Sequence, residues 1–193
     1  LAAQDGAFAT ARDGDGEIES AIRNYETAAR MQTLVPQLCD VSSETAETLQ
    51  LYGVDRETDH ERFYALQCLR ARRLVEAGVR FVEVTCPNTH GTVGQAVWDQ
   101  HSKLRRLHAE NARMTDQPVA ALITDLKRRG LLDETLVLWA GEMGRTPHSW
   151  DALDGRDHHV NGYTIWMAGG GIRRGMTYGA TDEIGMSAVE NQL

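Results

Sequence analysis

Apolar residues recur at helical spacing from Ala21 to Gly78. From Val79 onward, strand-like and helix-like patterns alternate. The stretch "AIRNYETAARMQTLV" predicts a helix ending near Pro36, where the proline ring removes a backbone donor. "DVSSETAETLQLYGV" predicts a short helix, with Ser43 or Ser42 as N-cap and Gly53 as stop. "ERFYALQCLRARRLVEAG" predicts about five helical turns closed by Gly78. "VRFVEV" then reads as a strand, and a Pro-, Asn-, Thr- and Gly-bearing loop follows from Cys86 to Val97. Helical sequence resumes after "WDQH", and Pro118 either kinks that helix or opens a new one. Val119, Leu122, Ile123 and Leu126 make an i, i+3, i+4, i+7 stripe, and Gly130 follows three cations at the helix end.

Thr135 to Ala140 is almost wholly apolar, which predicts a parallel strand buried on both faces. "YTIWMAGGGIR" repeats the pattern, and "GMTYGATDEIG" predicts a hairpin. Helix–strand alternation from residue 61 argues α/β architecture. The chain divides into an acidic, mostly helical lead-in over 1–60 and an α/β core over 61–193. Residues 1–20 are small, acidic and Gly-bearing, and read as a mobile start.

Charge sharpens that division. The net charge is −8, and residues 1–60, with 12 acids and 4 bases, account for all of it. Such a chain lacks the basic stripe that nucleic acid or an anionic membrane requires. It has no apolar run long enough to span a membrane. The start at Leu1 rather than Met suggests a piece of a longer protein. Cys39, Cys68 and Cys86 are odd in number and far apart, so neither a disulfide framework nor a thiolate zinc site is expected; Cys68 reads as core filler.

In open α/β sheets, ligands bind beyond the carboxyl ends of strands. His90, Asp99 and His101 follow "VRFVEV"; Glu142 follows "TLVLWAG"; Asp157, His158 and His159 precede "YTIWMAG". Carboxylate with imidazole is a ligand mix for zinc, manganese or iron. Plainer roles compete. Asp99 is a natural N-cap for a helix starting near Ser102, and Glu142 a natural partner for Arg145. On an extended backbone His158 and His159 face opposite ways, so one of them is structural or supporting. His60, His108 and His148 lie in polar surroundings and read as solvated, and His90 stays open. The nucleophile elbow, the H-E-x-x-H helix, the deaminase signature and the P-loop are absent, and "AGGGIRRG" reads as a turn after a strand.

Longer blocks carry a resemblance. "YETAARMQTLVPQLCDVSSET", "WDQH", "GLLDETLVLWAGEMGRTP" and "GRDHHVNGYTIWMAGGGIRRGMTYGATDEIG" resemble the DUF1501 family, a sulfatase-like branch of the alkaline phosphatase superfamily abundant in planctomycetes and related bacteria. The resemblance implies an alkaline phosphatase-like three-layer αβα sandwich with a mostly parallel sheet, incomplete in this chain at both ends. It implies a divalent metal (Zn, Mn or Ca) held by Asp99, His101, Glu142, Asp157, His158 and His159. Arg145 is then an anion contact, and the nucleophile lies upstream of Leu1. It also implies a small-molecule or glycan sulfate or phosphate ester as substrate, and an exported parent.

Three functional readings follow. The first is a metal-dependent ester hydrolase, with this piece inactive alone. The second is a non-catalytic, metal-stabilised or carbohydrate-associated surface protein. In the third, caps and salt bridges are scattered and share no site.

Overall fold

The computed structural model describes residues 4, 6, 7, 16–86, 98–149 and 154–191. The chain forms two compact units, Leu1–Ser43 and Glu44–Leu193. Most of the start expected to be mobile, and all of the loop from residue 87 to 97 with His90, lie outside the described residues.

In the first unit, helix α1 (Gly16–Cys39) opens on Glu17 and Glu19, whose charges suit a helix N-terminus. It runs past Pro36, where the sequence predicts its end. Pro36 falls in the last turn, so only one donor is lost, and its carbonyl still accepts from Asp40 N at 3.1 Å.

The second unit is built on three helices. Helix α2 (Ala46–Tyr52) is capped by Thr45 rather than Ser42 or Ser43: the Thr45 hydroxyl accepts from Thr48 N, and Gly53 closes the helix at φ 77°. Helix α3 (Asp59–Glu76) starts on Thr58, which accepts from Glu61 N and donates to the Glu61 carboxylate at 2.7 Å. Helix α4 (Leu104–Arg128) contains Pro118 without ending there. Its buried stripe is Leu107, Asn111, Met114, Thr115, Pro118, Ala121, Asp125 and Leu126. Of the four residues of the expected stripe only Leu126 is buried; Val119, Leu122 and Ile123 are half-buried. Tyr52, Tyr64, Ala65, Cys68, Leu69, Leu107, Met114, Ala121 and Leu126 form the apolar core of this unit. Burial pushes the Cys68 thiol up to about 12, as befits core filler.

A charged knot closes the same core. Arg72 is 1% exposed. Its two terminal nitrogens donate to Glu44 at 2.7 Å and Glu76 at 2.6 Å. Its Nε lies 3.0 Å from Asp125 Oδ2, close enough for an ion pair but not aligned as a hydrogen bond. Asp125 also accepts from Tyr52 at 3.1 Å and Arg129 at 2.8 Å. Burial works against the Glu44 charge, but the hydrogen bonds from Arg73 and Arg72 outweigh it and hold the carboxyl below its ordinary range.

The sheets correct the expected architecture. There is no three-layer αβα sandwich and no extended parallel sheet among the described residues. There are three two-stranded antiparallel ribbons: β1 (Leu136–Trp139) with β4 (Trp166–Gly169), β2 (Gly144–Arg145) with β3 (His158–His159), and β5 (Ala180–Thr181) with β6 (Ala188–Glu190). The β1–β4 register pairs Leu136 with Gly169 and Trp139 with Trp166. The link from β1 to β4 carries the β2–β3 ribbon instead of a described crossover helix, so the chain returns antiparallel. Nor is β1 buried on both faces: Leu136 and Leu138 are more than half exposed. "VRFVEV" joins no ladder, although the exposure of residues 81–86 alternates as in a strand. The last ribbon is the expected hairpin, turned through Asp182–Gly185.

Candidate metal centre

The cluster grows from two backbone segments laced together. Residues 98–103 lead into α4, and residues 154–159 lead into and form β3. Arg156 N donates to Gln100 O at 3.0 Å, and Leu104 N to Asp154 O at 3.1 Å. The Asp154 carboxylate takes the Lys103 N–H at 2.6 Å, capping α4 from far away in sequence. The expected local cap, Asp99, does something else. Gly155 seats against this junction. A Cβ there would lie 1.9 Å from both the carbonyl carbon and oxygen of His101, and 2.5 Å from Ser102 N. Gly155→Ala is therefore expected to lose about 1–3 kcal/mol or more through overpacking, and to separate His101 from the second segment. A urea melt measures this, and wild-type stability would contradict the close approach.

The β2–β3 ribbon supplies the other half. Arg145 and His158 are cross-strand partners, so their side chains share one face. Both reach Asp99 Oδ1, Arg145 Nη1 at 2.7 Å and His158 Nε2 at 2.8 Å. His101 Nε2 is 2.9 Å from the same oxygen. The expected pairing of Arg145 with Glu142 is thus replaced by one with Asp99. Alternation along β3 sends His159 the other way. It is buried, and its Nε2 meets the Met186 carbonyl, tying β3 to the last hairpin. Glu142 is exposed and outside the cluster.

One ligand atom each from Asp99, His101 and His158 lies within 4.8 Å of the other two. Burial works to raise the Asp99 pKa, but hydrogen bonds from His158 and Arg145, with the Arg145 charge, bring it down to about 2. His101 is bracketed by acids, with Nε2 facing Asp99 Oδ1 and Nδ1 lying 3.2 Å from Asp157 Oδ1. An ionised carboxylate only accepts, and a neutral imidazole has a single N–H. One of these two contacts therefore calls for a second positive partner, either another proton on the ring or a cation. A cation that bonds at ~2.0–2.2 Å suits this donor set once the two imidazole nitrogens, now 2.9 and 2.8 Å from Asp99 Oδ1, move back to the ~3.3–3.6 Å that separates tetrahedral ligands.

Of the six sequence candidates, the structure brings Asp99, His101 and His158 to one point and places Asp157 directly behind His101. It leaves Glu142 and His159 apart. Asp154, Gly155 and Thr146 carry the scaffold without having been singled out. Thr146 is buried, donates its N–H to Asp157 O at 3.0 Å and accepts from Asp157 N at 3.0 Å. A Thr directly after Glu-x-x-Arg offers no sequence signal for such a role.

Rings extend from the cluster toward the first ribbon. Trp98 meets His108 edge-on at 4.9 Å and Trp139 edge-on at 6.2 Å, and Trp139 stacks on Trp166 at 6.1 Å. A separate cleft lined by Arg56, Glu57, Glu61 and Arg113 contains its own ion pairs, Glu61 with Arg56 at 2.9 Å and with Arg113 at 3.3 Å.

A family model described as "Protein of unknown function (DUF1501)" matches residues 2–193. No curated protein and no solved structure matches the chain.

Proposed function

The chain belongs to the DUF1501 family, and from the cluster it carries we propose that it holds a divalent cation and serves the hydrolysis of sulfate or phosphate esters, a sulfatase-like activity. The observation that carries the reading is the convergence of Asp99, His101 and His158, with the His101 ring set between two carboxylates. Asp99, His101 and His158 would hold the ion. Two imidazoles and one carboxylate favour zinc or another first-row metal over calcium, which prefers an all-oxygen shell. When bound, the cation supplies Lewis acidity toward an ester oxygen. Arg145 stands beside Asp99, and its planar fork suits the oxygens of a sulfate or phosphate group. Its attraction to Asp99 also holds that carboxylate ionised, ready as a ligand.

One observation favours a second reading, a non-catalytic metal-stabilised protein. The Asp99, His101 and His158 side chains are 40%, 45% and 47% exposed, so the cluster is open to water rather than enclosed. Metal analysis of the full-length protein, then its incubation with an aryl sulfate and an aryl phosphate, separates the two. Stoichiometric metal with turnover supports the hydrolase. Metal without turnover supports the second reading. A chain that binds no zinc or manganese removes both.

A further inference from the structure

We infer that Asp157 is a positioning residue, which holds the His101 ring in the tautomer that offers Nε2 to a cation. The inference deepens the proposed cation site and rests on it for its functional meaning. Asp157 does not belong to the group of three converging ligand atoms. Its Oδ1 lies instead 3.2 Å behind the ring, at Nδ1. The Nδ1 contact is aligned as a hydrogen bond, whereas the Nε2 contact with Asp99 is close but not so aligned, so Nδ1 is the nitrogen placed to carry the hydrogen and Nε2 the one left to offer its lone pair. That arrangement of carboxylate, imidazole and cation fixes the ring's rotation as well as its tautomer.

The carboxylate has a rigid base. The Asp157 C=O accepts from Thr146 N, which continues the β2–β3 pairing by one residue, and the Asp157 N–H donates to the hydroxyl of Thr146, a residue 3% exposed. Asp157 is also the less exposed partner, with its side chain 28% exposed against 45% for His101. The ring is thus the movable member and the acid the fixed one. His158, next in the chain, follows the same ladder to Asp99. A single registered ribbon thereby sets one ligand directly and a second through its neighbour.

Two measurements on the wild-type chain, Asp157→Asn and Asp157→Ala test this. The first is nitrogen-15 NMR of the metal-free protein at alkaline pH, which reads the His101 tautomer. Wild type is expected to carry the hydrogen on Nδ1, and Asp157→Ala to lose that preference. A wild-type ring protonated on Nε2 would overturn the inference. The second is calorimetric titration with zinc. Asp157→Ala is expected to weaken binding by ~10–100-fold at unchanged stoichiometry. Asp157→Asn should fall between, because its amide oxygen still accepts. Unchanged affinity in Asp157→Ala would refute positioning, and complete loss of binding would make Asp157 a ligand instead. Should wild type bind no zinc while the Nδ1 tautomer is present and Asp157-dependent, the cation reading fails and the positioning role stands.

Discussion

Arg72→Met is expected to cost the folded chain about 3–5 kcal/mol, the largest stability loss of any single charge removal here. Arg72 is almost wholly buried and bridges Glu44, Glu76 and Asp125, from the start of the second unit, α3 and α4. The thioether fills similar space, so the loss is electrostatic rather than a cavity. Glu44 and Asp125 would stay buried with less positive charge beside them. Arg73 keeps a 2.6 Å contact with Glu44, and Arg129 keeps one of 2.8 Å with Asp125. These two set the loss inside the stated range rather than above it. Arg129→Met is the control. It is one-third exposed, so its pairs are worth about 1 kcal/mol or less. Urea unfolding of both variants decides the matter. Equal shifts would mean that the Arg72 contacts are as solvated as those of Arg129.

The same knot shows what a linear reading reaches. Glu61, Tyr64, Ala65, Cys68, Leu69 and Arg72 recur at helical spacing, and Thr58 and Gly53 are strong local punctuation. Helices α2 and α3 were therefore legible, although periodicity does not reveal that a stripe can bury an arginine. Strand pairing was not legible. The run 135–140 has the same letters whether it lies in the middle of a parallel sheet or in a two-stranded ribbon. Only its partner decides, and that partner, Trp166–Gly169, returns antiparallel. The cap on Lys103 was hidden for a similar reason. Asp154 delivers it across half a hundred residues, while capping rules read immediate neighbours. In the cluster, the residues at 99, 101, 157 and 158 are carboxylates and imidazoles, the mix from which the metal reading starts. Sequence order alone cannot say that Arg145 and His158 share a register, or that His159 turns away. The exclusion of Glu142 follows from the ribbon as well, since the ladder begins at Gly144, beyond it.

Asp99→Ala is expected to abolish measurable zinc binding, exceeding the ~10–100-fold loss typical of an outer neighbour. Asp99 Oδ1 is the atom on which His101, His158 and Arg145 all converge at 2.7–2.9 Å. Without it, two imidazoles and a guanidinium face one another with no intervening negative charge, an arrangement that repels a cation. The fold should tolerate the change, because Asp99 is 40% exposed and water can solvate what remains. Acid offers a second handle on the same group. The folded pKa of Asp99, at about 2, lies below its ordinary value of 3.8. Asp99 therefore contributes stability that is fully present above about pH 4 and lost as pH falls toward 2. Asp99→Ala should flatten that part of the acid-unfolding curve and leave the curve near neutrality almost unchanged. Calorimetry with zinc and acid titration followed by circular dichroism read the two effects separately. Retained zinc affinity in a folded Asp99→Ala chain would show that the ion, if any, sits elsewhere. An unchanged acid limb would show that the three nitrogens around Oδ1 do not hold it ionised in solution.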